Sequence, residues 1–319
     1  MAEKEWSRIA VVGAGAVGSY FGGMLARAGA PVTLIGRALH VEAINRDGLL
    51  IDSIHFKERI SVSASTELKD VRDAQLVLFS VKTVDTEGAA KLLAPYLAPD
   101  TVVVSLQNGV DNAERIDFAA GIQVIPAVVY IAIAMTGAGQ IKHSGRGDLI
   151  FGNPLPNHDD SESELVEVAA TFTRAGVPCR ISKNIAVDLW EKLIMNCAYN
   201  ALSALAGMKY GRIASDAGSI DVIKRVVIEA VAVGNAAGVP LSADSMIAAA
   251  LKLGSEAMPD ALSSTAQDIA RGKPTEIDSL NGFLVRRGTE LSVPTPVNQT
   301  LYSLVKMLEQ SATAVQFKA

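Results

Sequence analysis

Residues 8–37 read RIAVVGAGAVGSYFGGMLARAGAPVTLIGR, and this stretch decides the fold of the amino-terminal half. A short apolar run, Arg8 to Val12, predicts a β-strand, and the glycines after it open a helical stretch from about Ala16 to Ala28. Gly29-Ala30 ends the helical stretch, and Pro31 to Ile35 predicts a second strand. The stretch therefore predicts a β-α-β unit of about 30 residues.

The alternation of strands and helices continues beyond this unit. The further predicted strands are Gln75 to Val81, Thr101 to Leu106, Val124 to Ile133, Gly139 to Phe151 and Val177 to Ile181, with a small hairpin within Leu49 to Ser63. Helices are predicted at Thr83 to Tyr96 and Glu162 to Ala175, and a polar loop at Pro154 to Asp160. Such alternation indicates a Rossmann-type, doubly wound parallel sheet.

The pattern changes to long helical segments at about Ile185. They lie near 185–206, 217–237, 243–253, 261–271, 276–288 and 295–311. Gly238-Val239-Pro240 and Ser292-Val293-Pro294 separate neighbouring segments. We therefore predict an α/β chain with a Rossmann-type domain at 1–184 and an all-α domain at 185–319.

The composition excludes several classes of protein. The 319 residues have a formal net charge of −5, which argues against general nucleic-acid affinity. Two cysteines, Cys179 and Cys197, form neither a disulfide framework nor a metal motif, which favours a reducing cytoplasm. The longest apolar stretch, Ile125 to Met135, is shorter than the roughly 20 residues that span a bilayer. We predict a cytoplasmic protein with no metal, no membrane segment and no nucleic-acid partner.

The glycine loop Gly13-Ala14-Gly15-Ala16-Val17-Gly18 has the pattern G-x-G-x-x-G. It follows a predicted strand and opens a predicted helix, as the mechanism of dinucleotide binding requires. The first glycine permits the tight turn, the second lets the backbone approach a pyrophosphate, and the third allows close packing of helix on strand. The pyrophosphate would rest on the helix N-terminus, where N–H groups and the helix dipole favour anions.

The end of the second strand indicates which dinucleotide is bound. NAD sites usually carry an acidic residue there to hold the ribose hydroxyls, whereas this chain reads Leu34-Ile35-Gly36-Arg37. Arg37 can pair with a 2′-phosphate through a planar, charge-assisted fork. We therefore predict NADP(H); the missing acid disfavours FAD as well.

A polar stripe runs along an otherwise apolar helix, LWEKLIMNCAYNALSAL at 189–205. Lys192, Asn196 and Asn200 recur at i, i+4 and i+8, so they share one face. An ammonium group flanked by two amides can face a substrate, because it can stabilise negative charge on a carbonyl oxygen and then deliver a proton. The spacing fits equally a solvent-facing stripe on a helix whose core face carries Trp190 and Leu193.

Other polar residues are candidates of lower specificity. Lys82 and Asn108 follow predicted strands at the carboxyl edge, where ligands bind in parallel sheets, although ordinary loops would look the same. The sequences at Ser263-Ser264-Thr265 and Thr275-Glu276-Ile277 are typical helix caps. The histidines His40, His55, His143 and His158 are predicted to lie in loops, without a metal-like cluster or an assigned role.

Together these segments resemble the ketopantoate reductase family, over nearly the whole chain. The resemblance rests on GAGAVG with IGR at the second strand, SVK at 80–82, QNG at 107–109, WEKLIMNCAYNAL at 190–202 and SSTAQDIARGKPTEIDSLNGF at 263–283. The last two segments are specific, and the first three are shared more widely.

The resemblance implies an NADPH-dependent reduction of 2-dehydropantoate to pantoate, in pantothenate and coenzyme A biosynthesis. It implies Lys192 as the general acid, with Glu276 supporting it. Asn196, Asn200 and Ser264 would bind the substrate, and Asn108 would lie where cofactor and substrate meet. Arg37 and Lys82 would contact the phosphate or ribose end of NADP(H).

One segment departs from the family pattern and leaves the substrate open. Many members carry Thr-Thr and a small-residue turn where this chain has Val129 to Ala134. The alternatives are a related NADP-dependent reductase of another 2-keto or 3-hydroxy acid, or a catalytically silent NADP(H)-binding sensor. The apolar helices at 222–237 and 295–308 further suggest a homodimer.

Overall fold

The computed structural model describes residues 6–153 and 160–316, with only the backbone of 160–162 and 312–316. Two compact units divide the chain, Met1–Asp188 and Leu189–Ala319. The predicted boundary after residue 184 coincides with the start of a helix at Ile185. His158 and nearly all of the predicted loop from Pro154 to Asp160 lie outside the described residues.

One sheet organises the described part of the first unit. Its strands are β1 (Ile9–Val12), β2 (Val32–Ile35), β3 (Leu49–Ser53), β4 (Lys57–Ile60), β5 (Ser63–Ser65), β6 (Leu76–Phe79), β7 (Val102–Ser105), β8 (Ile125–Gly137), β9 (Gln140–Phe151) and β10 (Cys179–Ile181). Their order is β4-β3-β9-β8-β7-β6-β1-β2-β5, with β10 beside β9. The run from β5 to β8 is parallel, as predicted, whereas β8–β9 and β3–β4 are antiparallel hairpins.

Helices cover both faces of this sheet. They are α1 (Ala16–Arg27), α2 (Ala38–Asp47), α3 (Thr86–Leu93), α4 (Asn112–Ala120) and α5 (Asp160–Arg174). Successive residues of β1 alternate between two cores: Ile9 and Val11 pack with Phe21 of α1, whereas Ala10 and Val12 belong to the core that includes Leu93 of α3. Burial on both faces explains why β1 is a continuous apolar run.

The described residues of the second unit form helices joined by turns and loops, without a strand. Its helices are α6 (Ile185–Ala206, whose first turn belongs to the first unit), α7 (Tyr210–Ala214), α8 (Ala217–Ala236), α9 (Ala243–Lys252), α10 (Ser264–Ala270), α11 (Asn281–Glu290) and α12 (Pro296–Gln316). A π-helical turn, Leu253–Ala257, extends α9, and a 3₁₀ turn, Ile277–Ser279, precedes α11. Among the residues described, no helix combines the length and apolar composition that crossing a bilayer requires.

Three helices had no strong signal in the sequence. α2 buries only four residues, one of them His40, and α4 buries only Asn112 and Ile116. α7 has five residues and buries Tyr210 and Ile213. These helices are only five to ten residues long, so their apolar pattern extends over fewer than three turns, and tertiary packing holds them.

Candidate active site

The carboxyl ends of four parallel strands lie at one edge of the sheet. Val12 of β1 is in register with Ile35 of β2 and with Phe79 of β6, and Phe79 is in register with Ser105 of β7. The segments that follow, 13–18, 36–37, 80–82 and 106–109, therefore leave the sheet at the same edge. Strand order also reverses at β1, which is where open α/β sheets bind ligands.

The glycine loop is held tightly against the neighbouring strands. Gly13 has φ +98°, and a Cβ there would lie 2.7 Å from the backbone nitrogen of Val81. The N–H groups of Gly13 and Ala14 both donate to the carbonyl oxygen of Ile35, at 3.0 and 2.8 Å. The Ser80 hydroxyl donates to the Gly13 carbonyl at 2.8 Å. The turn is thus formed by the protein itself.

Gly15 presents open space, in contrast to Gly13. Apart from Gly15 itself and its two chain neighbours, no described protein atom lies within 4 Å of the position that a Cβ at Gly15 would take. The first turn of α1 carries no acidic residue, and no side chain caps its N-terminus. Backbone N–H groups of a first helical turn lack intrahelical partners and attract anions. The loop therefore fits the pyrophosphate of a dinucleotide.

Replacing Gly13 by alanine is expected to destabilise the protein by about 1–3 kcal/mol, because a side chain at positive φ is strained and would clash with the backbone of Ser80-Val81. Urea unfolding without ligand measures this loss. Gly15→Ala is the matched control: Gly15 has φ −76° and open space around it, so only the smaller cost of alanine at an N-cap position should appear. Equal losses in both variants would contradict the assignment of strain to Gly13.

Arg37 is brought beside the glycine loop by close backbone packing. A Cβ at Gly36 would lie 2.8 Å from the Cβ of Ala14, so glycine at position 36 lets the end of β2 approach the loop. Arg37 is the N-cap residue of α2, and its side chain is exposed. Lys82 follows β6 at the same edge and is also exposed.

A buried hydrogen-bond network fixes the backbone at Asn108. Its carbonyl oxygen accepts from the Thr83 hydroxyl at 3.1 Å and from the Asn112 side chain at 2.7 Å. Gln107 donates to the carbonyl of Val81 at 3.1 Å, which ties the segment after β7 to the one after β6. Thr83 and Asn112 were not singled out from the sequence, and Gln107 only as part of the QNG motif, because the fold alone brings the three together.

His40 and His143 are not in loops, contrary to the prediction for the histidines, although the strand predicted at Gly139 to Phe151 includes His143. His40 lies in α2, where its ring accepts a hydrogen bond from the backbone N–H of Gly139 at 2.7 Å; burial lowers its pKa. His143 lies in β9, with its ring 2.9 Å from the Ser53 hydroxyl. Both are buried and hydrogen-bonded within the sheet unit, which matches a structural role.

The polar stripe on α6 becomes more buried along the helix. Lys192 and Asn196 are half-buried, whereas Asn200 is only 3% exposed. The Tyr210 hydroxyl donates to Oδ1 of Asn200 at 3.0 Å, and burial raises the pKa of Tyr210, so the donor keeps its proton. Ile194 lies on the opposite face of α6 and is fully buried. The stripe is thus not a purely solvent-facing one.

The start of α10 is attached to the same part of α6. The Ser263 hydroxyl donates to the carbonyl of Asn200 at 3.2 Å, and the Ser263 N–H donates to the Ser203 hydroxyl at 3.2 Å. Ser263 also caps α10 by accepting from the N–H of Ala266 at 3.0 Å. Ser264, the first residue of α10, is exposed next to this junction. The cap is therefore Ser263, and the hydroxyl of Ser264 is not part of it.

Glu276 lies half-buried at the start of the 3₁₀ turn before α11. The first residue of α11, Asn281, donates from its side chain to the carbonyl of Cys197 on α6 at 3.3 Å. The Glu276 segment and the stripe thus belong to elements that are bonded together. Within the described residues, no group of histidine, cysteine and acidic side chains is arranged to hold a metal.

Comparison with known families gives two matches that together span most of the chain. The family described as "Ketopantoate reductase PanE/ApbA" matches residues 9–155. The family described as "Ketopantoate reductase PanE/ApbA C terminal" matches residues 184–309. The first match contains the glycine loop, and the second contains the stripe, Ser264 and Glu276.

Individual relatives agree with these matches. A 2-dehydropantoate 2-reductase of Pyrococcus horikoshii is 33% identical over 303 residues, which cover 95% of this chain and 97% of that protein. A PanE/ApbA family ketopantoate reductase from Ralstonia eutropha JMP134, whose crystal structure is known, is 46% identical in sequence to this chain. The two structures align with a TM-score of 0.88, and the alignment covers 96% of this chain and 99% of that one. A D-mandelate dehydrogenase in ternary complex with NADH and anilino(oxo)acetate is 25% identical, with a TM-score of 0.89 and the same coverage.

Proposed function

The chain belongs to the ketopantoate reductase family of oxidoreductases, and from this premise we propose that it reduces 2-dehydropantoate to pantoate with NADPH. The observation that carries the proposal is the agreement of the two family matches with the positions of the glycine loop and of Lys192. The 2-dehydropantoate 2-reductase of Pyrococcus horikoshii aligns over nearly its whole length, which favours the same substrate.

Arg37 supports NADPH as the preferred cofactor. Its exposed guanidinium follows β2, next to a loop that fits a pyrophosphate. Arginine can bind a 2′-phosphate with two parallel hydrogen bonds, and this strand end offers no carboxylate to hold the ribose hydroxyls of NADH. Lys82, on the neighbouring segment, would add a second positive charge at the same edge.

The proposed chemistry needs a proton donor as well as a reductant. When bound, the reduced nicotinamide supplies a hydride to the carbonyl carbon of the keto acid. The ammonium of Lys192 would donate a hydrogen bond to the carbonyl oxygen while negative charge develops there, and then give that oxygen its proton. Lys192 would regain a proton from solvent before the next turnover.

The remaining predicted residues would bind and orient the substrate. Asn196 and Asn200 share a helix face with Lys192, and their amides can donate to hydroxyl and carboxylate oxygens. Ser264 would add a hydroxyl next to Asn200. Glu276 would support the charge of Lys192, and Asn108, whose backbone is fixed by Thr83 and Asn112, would orient the reacting groups.

A second candidate function is the reduction of a different 2-keto acid. The D-mandelate dehydrogenase has a very similar fold and was crystallised with NADH and anilino(oxo)acetate, an aryl-substituted 2-oxo acid derivative. Val129 to Ala134, within β8, lacks the threonines of many ketopantoate reductases, so this chain has a different set of side chains there. An aromatic keto acid is the specific alternative.

Initial rates of NADPH oxidation test the proposal directly. We expect clear turnover with 2-dehydropantoate, a higher kcat/KM with NADPH than with NADH, and weak turnover with benzoylformate. A higher kcat/KM with benzoylformate would favour the second candidate. Binding of NADPH without turnover of any 2-keto or 3-keto acid would favour a silent sensor.

We also propose a cytoplasmic location and a homodimeric assembly. The presence of only two cysteines, without a disulfide framework, favours the cytoplasm. Ile228 of α8 and Leu304 and Met307 of α12 are exposed, which suits the proposed homodimer through the carboxyl-terminal helices. Sedimentation of the purified protein tests the dimer.

A further inference from the structure

Glu276 lies between two residues that are both held by α12. On one side, the N–H and the hydroxyl of Thr275 donate to the same carboxylate oxygen of Glu309, at 2.8 and 2.6 Å. On the other side, a carboxylate oxygen of Asp278 accepts from the Tyr302 hydroxyl at 2.6 Å. The backbone that carries Glu276 is therefore attached to one helix at both ends.

Lys306 joins these two attachments. Its ammonium lies 2.9 Å from an oxygen of Asp278 and 2.9 Å from an oxygen of Glu309. Tyr302, Lys306 and Glu309 recur at three- and four-residue spacing, so they form one face of α12. We name these three residues, with Thr275 and Asp278, the Glu276 clamp.

Hydrogen bonds inside the Glu276 clamp affect the pKa values of its two acidic residues more than burial does. Partial burial alone would raise the pKa of Asp278, but the hydrogen bonds from Tyr302 and Lys306 bring it below its ordinary value. The same competition, with hydrogen bonds from Thr275 and Lys306, lowers the pKa of Glu309. The hydrogen bond to Asp278 is the main reason that the pKa of Lys306 is raised. Both acids and the lysine therefore stay charged near neutral pH.

The turn is also held from within. The N–H of Ile277 donates to the Thr275 hydroxyl at 3.2 Å, the N–H of Ser279 donates to the carbonyl of Glu276 at 2.9 Å, and Ile277 is fully buried. These bonds leave the backbone on either side of Glu276 little freedom.

The Glu276 clamp restricts the geometry of the turn more than it contributes to the stability of the protein. The side chains of Lys306 and Asp278 are 35% and 49% exposed, and ion pairs with that exposure add at most about 1 kcal/mol to stability. Three side chains of α12 nevertheless converge on one short turn that contains a single candidate catalytic residue. A positional role accounts for this arrangement better than a stabilising one.

We infer that Lys306, with Tyr302 and Glu309, is a positioning residue that fixes Glu276 relative to Lys192 on α6. The inference rests on the proposed function, because it assigns Glu276 the support of the general acid. Loss of Lys306 would leave the carboxylates of Asp278 and Glu309 together without their shared cation. Their repulsion would then loosen the turn that carries Glu276.

The test compares Lys306→Met with Lys306→Arg and Tyr302→Phe. The matched control is Arg287→Met, which breaks an ion pair of the same i, i+3 type on α11. The first measurement is hydrogen exchange of the peptide covering 273–280 without cofactor. The second is a double-mutant cycle in kcat between Lys306→Met and Glu276→Gln, on whichever keto acid the wild-type protein turns over.

We expect faster exchange at 273–280 in Lys306→Met and Tyr302→Phe, with no change at 190–205. We expect kcat to fall on the order of tenfold in Lys306→Met, to recover largely in Lys306→Arg, and to change little when Lys306→Met is added to Glu276→Gln. Two results would overturn the inference. One is hydrogen exchange at 273–280 that does not change in Lys306→Met. The other is a loss of kcat from Lys306→Met that is the same in the wild-type protein and in Glu276→Gln. If the wild-type protein reduces no keto acid, the proposed function fails, and the exchange data still decide whether the clamp exists.

Discussion

Replacing Lys192 by methionine is expected to lower kcat for keto acid reduction about a thousandfold while the affinity for NADPH stays unchanged. Methionine keeps an unbranched side chain on a half-buried position of α6 but removes the ammonium group that we propose as the proton donor. Without the ammonium, the negative charge that develops on the carbonyl oxygen would have to be stabilised by neutral amides such as Asn196. These are weaker donors than a cation.

Steady-state rates and the quenching of protein fluorescence by NADPH separate the two effects. Lys252→Met on α9 serves as the control, because it removes an exposed lysine of the same unit. It should match the wild-type protein in both measurements. A Lys192→Met variant that retains more than about a tenth of the wild-type kcat would rule out Lys192 as the general acid.

Replacing Arg37 by aspartate is expected to reduce kcat/KM with NADPH on the order of 100-fold and to reverse the preference toward NADH. The substitution removes the proposed partner of the 2′-phosphate and introduces a charge that repels it. An aspartate there can accept hydrogen bonds from the ribose hydroxyls of NADH instead. Folding should not suffer, because Arg37 is the N-cap residue of α2 and aspartate is a favoured N-cap residue.

The test of Arg37→Asp needs a control variant with the same change of charge at a different position. Arg46→Asp provides it, because Arg46 is exposed on the same helix and pairs only with the neighbouring Asp47 among its described contacts. This control should keep the NADPH preference. If both variants lose the preference equally, long-range charge rather than a contact at Arg37 selects the cofactor.

The β-α-β unit at the start of the chain could be predicted in detail because its signals are local. In 8–37, apolar strand residues, glycines and a helical run follow one another in the order that a β-α-β unit requires, and β1, α1 and β2 begin and end within one residue of their predicted bounds. The hairpin predicted within Leu49 to Ser63 is present as β3 and β4. The switch to helices at Ile185 was equally clear, since α6 begins there.

The candidate site could be predicted only in part, because much of it depends on contacts between distant segments. The spacing of Lys192, Asn196 and Asn200 shows that they share a face, but not that Tyr210 satisfies Asn200 from another helix. A serine before a helix predicts a cap, yet nothing local joins Ser263 to α6. The sequence predicts a loop at His40 because the ten residues of α2 carry only a short apolar pattern, and tertiary packing decides that they form a helix.

The internal hydrogen bonds of the glycine loop have a consequence for the kinetics of cofactor binding. Ile35 accepts from two loop N–H groups and Ser80 donates to Gly13, so the loop has its binding shape before any ligand arrives. A preorganised site loses little conformational entropy on binding. The association rate should therefore be governed by diffusion and charge rather than by loop rearrangement. Differences in affinity among dinucleotides would then appear mainly in how long each one remains bound.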